Sequence, residues 1–182
     1  MKNRIELAKY FAEQGFTKGV EVGVCTGRYS KILLDNIPGL QLLGIDPYVP
    51  YGGGGSFRHQ ETHYANYLTA RKMLAPYPNY ILVVGYAHDV ARWIPDESLD
   101  FVFIDGIHSY ESTFEDMTDW APKVRKGGIV SGHDYYLTER MRVKEAVDDY
   151  AKKHGIEVQS TEWDYEAHRD DQQPDWFFRK DN

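Results

Sequence analysis

The feature that most constrains this chain is a regular alternation of short apolar runs with stretches of helical period. GVEVGV (19–24), QLLGIDPY (41–48), NYILVVGYA (79–87), LDFVFIDG (99–106) and GGIVSGHDY (127–135) are five such runs. Each is rich in aliphatic or β-branched residues and too short for a helix, so each reads as a strand. Between them, CTGRYSKILLDNI repeats Tyr29, Ile32 and Leu33 at helical spacing, and residues 59–74 are also helix-like. YESTFEDMTDWAPKV gathers Phe114, Met117 and Trp120. TERMRVKEAVDDYAKKHG gathers Val143, Ala146, Val147, Tyr150 and Ala151, with Gly155 as C-cap. IEVQS and DWFFRK close the chain as two strands with no helix between them, a hairpin with one antiparallel strand and with Trp163 and Trp176 in its core. Apolar strands alternating with helices require a parallel sheet covered on both faces. The expected fold is α/β: a doubly wound, mostly parallel seven-stranded sheet with a C-terminal antiparallel hairpin, in one domain over residues 1–182.

Composition narrows the partners. The net charge is −7 and no Lys/Arg-rich run occurs, which disfavours nucleic acid and anionic membrane surfaces. The single cysteine, Cys25, demands no oxidising compartment. The opening segment MKNRIELAKYFAEQGF is amphipathic, with Leu7, Ala8 and Phe11 near one helical face, and lacks the apolar core of a signal peptide. No apolar run is long enough to span a bilayer. A cytoplasmic protein is expected.

In a sheet of this kind ligands bind beyond the carboxyl ends of the strands. Asp105 and His108 of IDGIHSY, and His133 and Asp134 of SGHDYY, fall at that edge. EVGVCTG (21–27) supplies small residues between the first strand and helix, which lets a ligand approach the backbone. A dinucleotide fingerprint would need Gly at positions 23, 25 and 28, and only Gly23 complies. Asp46, ending the second strand, can accept hydrogen bonds from ribose hydroxyls. Together they indicate a nucleoside ligand without a pyrophosphate. The run GGGG (52–55), flanked by Tyr51 and Phe57, is either a hinge for a lid that turns Tyr51, Phe57, Arg58 and His59 to the cleft, or a loose surface loop. His63, Tyr64 and Tyr67 are expected to pack rather than react, and His154 and His168 to face solvent.

These motifs resemble class I S-adenosylmethionine-dependent methyltransferases, a Rossmann-like family, over essentially the whole chain. EVGVCTG resembles their Glu-x-Gly-x-Gly-x-Gly loop, with Cys25 at the middle Gly. The resemblance implies a cofactor site of Glu21, Gly23, Val24, Cys25, Gly27, Asp46, Tyr86, Ala87, His88 and Asp105, with the GYAHDV turn around the adenine. The plain reading of that turn is that Tyr86 packs, and Asp89 is expected in either case to cap the next helix. The block from IDGIHSY to SGHDYY is similar to small-molecule and sugar O-methyltransferases, including macrocin O-methyltransferase-like enzymes. That likeness implies a divalent cation, Mg²⁺ or Mn²⁺, held by Asp105, His133 and Asp134, and a general base at His108. Nitrogen is a poorer ligand for Mg²⁺ than oxygen, so either Mn²⁺ or another metal fits better or His133 stands behind the ligands. The chemistry is coherent: a bound cation lowers a hydroxyl pKa and a nearby imidazole takes the proton. A plain turn at Asp105 and a strand cap at His133 are the non-chemical readings. IDPY lacks the second proline of the DNA amino-methyltransferase motif and follows the wrong strand. The expected substrate is a small molecule or glycan, with a homodimer partner as one way to cover it. Rival readings are a metal-dependent hydroxylase-like enzyme, a non-catalytic cofactor-binding protein and an N-methyltransferase.

Overall fold

A computed structural model of the protein describes residues 1–51, 55–138 and 141–181. Among the described residues seven strands form one sheet: β1 (Lys18–Val22), β2 (Gln41–Asp46), β3 (Tyr80–Val84), β4 (Leu99–Ile104), β5 (Val124–Gly132), β6 (Gln159–Ser160) and β7 (Trp176–Arg179). Their order is β3-β2-β1-β4-β5-β7-β6. The first five are parallel, and β7 runs antiparallel between β5 and β6. The closing strands therefore pair as expected, although β6 is only two residues long. The helices are α1 (Arg4–Glu13), α2 (Arg28–Asn36), α3 (Gln60–Leu74), α4 (Ala87–Ala91), α5 (Tyr110–Trp120) and α6 (Val143–His154).

Side chains alternate across a strand, and here both alternating sets are apolar. Val102 and Ile104 join Val20, Val22, Trp120, Val147 and Trp176 in the core under α5 and α6. Phe101 and Phe103 join Leu7, Phe11, Leu33 and Phe177 in the core under α1 and α2. A smaller cluster of Val24, Tyr48, Ala70 and Leu74 seats α3. Gly155 ends α6 at φ 66°, the left-handed cap anticipated for it.

Four local expectations are corrected. Trp176 is fully buried, but Trp163 is 42% exposed and stacks on Tyr165 rather than entering the core. Asp89 does not cap α4; Tyr86 holds the cap position without a side-chain bond, and Asp89 lies in the first turn, 3.8 Å from Arg92. Arg58 and His59 are exposed and stand outside the cleft wall, whereas Tyr51 and Phe57 line it with rings 5.6 Å apart. Of the glycine run, residues 52–54 lie outside the described residues. His63 packs, as expected, with Nε2 2.9 Å from the Phe57 carbonyl, but Tyr64 is 58% exposed.

Candidate active site

The carboxyl ends of β1, β2, β4 and β5 open into one cleft of about 940 Å³. Its floor is the loop after β1. Gly23 has φ 88°, and a Cβ there would stand 1.9 Å from the Asp105 carbonyl oxygen. Only glycine permits this approach of the β1 and β4 ends. Cys25, where the resemblance has a glycine, also takes a left-handed φ of 51°. Asp46 fastens the loop: its Oδ2 accepts from the backbone N–H of Val24 (3.1 Å) and Cys25 (2.8 Å), and its Oδ1 from Tyr48 (2.8 Å). An ionised carboxylate has about four acceptor positions, so capacity for a ligand hydroxyl remains. Glu21 is buried below the loop and accepts a bond from Ser30 Oγ.

The chemical groups gather at the ends of β4 and β5. His108 Nε2 lies 3.4 Å from Asp105 Oδ1 and 3.3 Å from Asp134 Oδ2. One ligand atom from each of these three residues lies within 4.8 Å of the others. Asp134 holds a left-handed φ of 58° while almost fully buried, a conformation Asp tolerates better than most residues. His133 Nδ1 is 2.7 Å from Asp175 Oδ1, and its Nε2 is 3.7 Å from Asp134 Oδ1. A carboxylate behind one ring nitrogen fixes the orientation of the imidazole. Asp105, His108 and Asp134 are thus brought together directly, and His133 stands beside them, anchored from behind.

Charge distribution follows burial and pairing. Burial opposes ionisation of Asp105, but His133, His108 and Arg4 more than offset it and hold its carboxyl well below the usual range. Asp134 is pushed up, by burial first and by the Asp105 charge. Burial would lower His108, yet its bond to Asp105 and the charges of Asp105 and Asp134 raise it. Two facing carboxylates and an imidazole fit a divalent cation by donor chemistry.

The residues expected around the adenine, Tyr86, Ala87 and His88, line the far side of the cleft. His88 Nδ1 is 2.7 Å from Asp119 Oδ2, so this ring is engaged with α5. Sequence reading missed what α5 contributes to that wall: Ser112, Glu115, Asp116 and Asp119. Asp116 is pushed up to about 7 by burial and by the neighbouring Asp119 and Glu115. A helical period would have put these acids near one another, but not on the cleft side. Arg4 and Asp175 were missed as well, because they lie far along the chain from the motifs they touch.

The strand order and the cleft at the carboxyl edge define a Rossmann-like methyltransferase fold. An O-methyltransferase from Bacillus cereus in complex with SAH superposes with TM-score 0.70 at 13% identity, covering 97% of this chain and 80% of that one. TomG from Streptomyces achromogenes, an O-methyltransferase involved in tomaymycin synthesis and in complex with SAM, gives 0.69 at 14% identity, covering 97% and 79%. A protein from Clostridium thermocellum described as a candidate rRNA-methylase gives 0.67 at 17%, covering 100% and 98%. No curated protein matches the sequence significantly. A family model for a methyltransferase domain matches residues 20–135, well over half of the chain, and the protein belongs to that methyltransferase family.

Proposed function

We propose that the chain is an S-adenosylmethionine-dependent, divalent-cation-assisted O-methyltransferase acting on a hydroxyl of a sugar or glycosylated small molecule. The carrying observation is His108 Nε2 standing within 3.4 Å of two carboxylates at the cleft floor, beside the glycine loop. S-adenosylmethionine, when bound, supplies an electrophilic methyl group. A cation held by Asp105, Asp134 and His133 Nε2 would lower the pKa of the acceptor hydroxyl. The remaining work belongs to the chain. Gly23 and the N–H groups tied to Asp46 shape the cofactor floor. Glu21 supports that floor from beneath through Ser30. His108 Nε2 takes the hydroxyl proton, and Asp105 Oδ1 stabilises the imidazolium that results. The net charge of −7 supports a small-molecule or glycan acceptor rather than nucleic acid. Among the described residues no helix is long and apolar enough to cross a membrane.

Two variants separate the roles. His108→Gln is expected to lower kcat by roughly 10²- to 10⁴-fold, the usual worth of a general base, while Mn²⁺ binding by calorimetry stays intact. His133→Ala is expected to weaken Mn²⁺ binding. If His108→Gln instead lost the metal and His133→Ala kept it, the two imidazoles would exchange roles. Methyl transfer from labelled S-adenosylmethionine to a panel of sugars and glycosides, followed by mass spectrometry with Mn²⁺ and with EDTA, tests the reaction itself. Transfer unchanged by EDTA would remove the cation, and transfer to amines alone would remove the oxygen acceptor.

A further inference from the structure

Arg4 is the first residue of α1, yet it is 4% exposed and reaches the floor of the active site from behind. Its Nη2 lies 3.3 Å from Asp105 Oδ2 and 3.7 Å from Asp175 Oδ1. Its Nη1 lies 3.4 Å from Asp171 Oδ1. The guanidinium sits over the Tyr29 ring, 4.5 Å from its centroid. One Asp105 oxygen is therefore turned toward Arg4, while Oδ1 is the oxygen near His108. The Asp175 oxygen nearest Arg4 is also the one 2.7 Å from His133 Nδ1. A single planar fork thus stands behind two arms of the site, Asp105 directly and His133 through Asp175.

Helix stability does not account for this placement. A cation in the first turn opposes the helix dipole, and α1 already has its cap in Asn3, whose Oδ1 accepts from the N–H of Ile5 and Glu6. Burying a charge network is also a poor source of net stability compared with apolar packing. Asp171 does not need Arg4 alone, because Arg28 pairs with it too. The groups for which Arg4 is the cation at hand are Asp105 and Asp175.

We propose that Arg4 is a positioning residue: its guanidinium fixes the Asp105 carboxylate through Oδ2 so that Oδ1 is the oxygen left to His108 and the cleft, and it holds Asp175 so that His133 keeps Nε2 turned toward Asp134 Oδ1. This rests on the cation reading given above. Nη2 serves Asp105 and Asp175 while Nη1 is held by Asp171, and only a planar guanidinium keeps the two nitrogens in these places together; an ammonium is a single point charge.

Arg4→Lys keeps the charge and removes the fork, which separates geometry from simple electrostatics. The expected result is a folded protein with S-adenosylhomocysteine affinity like wild type and Mn²⁺ affinity, by calorimetry, about 10- to 100-fold weaker, the usual cost of losing an outer-shell partner. Asp175→Asn provides the second arm if Arg4→Lys does not fold. It retains an acceptor for His133 Nδ1, loses the ion pair with Arg4 and is expected to weaken Mn²⁺ binding in the same direction. Asn3→Ala is the control: it loosens α1 without touching the fork and is expected to lower thermal stability while Mn²⁺ affinity holds. Wild-type Mn²⁺ affinity in both Arg4→Lys and Asp175→Asn would overturn the inference, as would an equal loss in Asn3→Ala. Absence of Mn²⁺ binding by the wild-type protein would overturn the cation reading and this inference together. Wild-type binding with unaffected variants would overturn this inference alone.

Discussion

Glu21 carries a carboxyl where burial leaves it least able to ionise. Its carboxyl is pushed up to about 8, first by burial, with Asp105 and Asp46 adding and with the Ser30 bond and Arg4 opposing. Between its ordinary 4.5 and about 8, the unfolded chain releases this proton and the folded chain keeps it. The native state then binds the extra proton, so this contribution to stability is complete below pH 4.5 and is lost as pH rises through about 8. Glu21→Gln removes the loss. Its melting temperature is expected to fall less than that of wild type between about pH 5 and 8.5 by scanning calorimetry; parallel curves would mean that Glu21 is ionised throughout. Gly23 makes the complementary case in backbone geometry. Gly23→Ala must place a methyl 1.9 Å from the Asp105 carbonyl oxygen at φ 88°. The expected cost is roughly 3 kcal/mol or more in urea unfolding, and a cost under about 1 kcal/mol would mean that the loop yields without strain.

At the scale of elements, the entry of β7 between β5 and β6 is what delivers Asp175 to the back of the site. Thr161 fixes that entry. Its Oγ1 accepts from the Asp175 N–H at 2.8 Å, and its own N–H donates to the Asp175 carbonyl at 2.9 Å. Thr161→Val conserves shape and strands a buried N–H, so a loss of about 1–3 kcal/mol in denaturant unfolding is expected. An unchanged midpoint would mean that water replaces the hydroxyl. Elements of this fold were readable because each is written locally: β-branched runs for the strands, a three-to-four-residue apolar recurrence for α5 and α6. The site was readable to the same extent. Asp46, Asp105, His108 and Asp134 each end a visible strand or follow one closely, so sequence position alone put them at one edge. Arg4 and Asp175 are different. Arg4 meets Asp105 across 101 residues and looks, in sequence, like any polar residue of an amphipathic helix. The pairing of β7 with β5 is equally non-local, and nothing near DWFFRK announces that Asp175 will back His133. Trp163 failed for the converse reason: aromatic content near a strand says nothing about which side of a connection faces solvent.

Taken as a whole molecule, the cleft is walled by the ends of the strands that carry the core, so ligand binding and global stability are one equilibrium. A ligand that binds only the folded chain adds RT ln(1 + [L]/Kd), about 2.7 kcal/mol at a hundredfold excess over Kd. For a chain of this length, each kcal/mol moves the midpoint by roughly 2–4 °C, so S-adenosylhomocysteine at that excess should raise Tm by about 5–11 °C. Asp46→Ala should abolish most of the rise, because the loop N–H groups of Val24 and Cys25 lose their shared acceptor and, in the function proposed above, the ligand hydroxyls lose theirs. The net charge of −7 sets the contrast. A polyanion such as duplex or ribosomal RNA should leave Tm unchanged at moderate salt, since phosphate binding needs cations to displace counterions and here the 28 acidic residues outnumber the 21 Lys and Arg. A rise with RNA and none with S-adenosylhomocysteine would move the acceptor from small hydroxyl compounds to nucleic acid. A rise with neither, in a folded sample, would break the link between this cleft and the nucleoside cofactor.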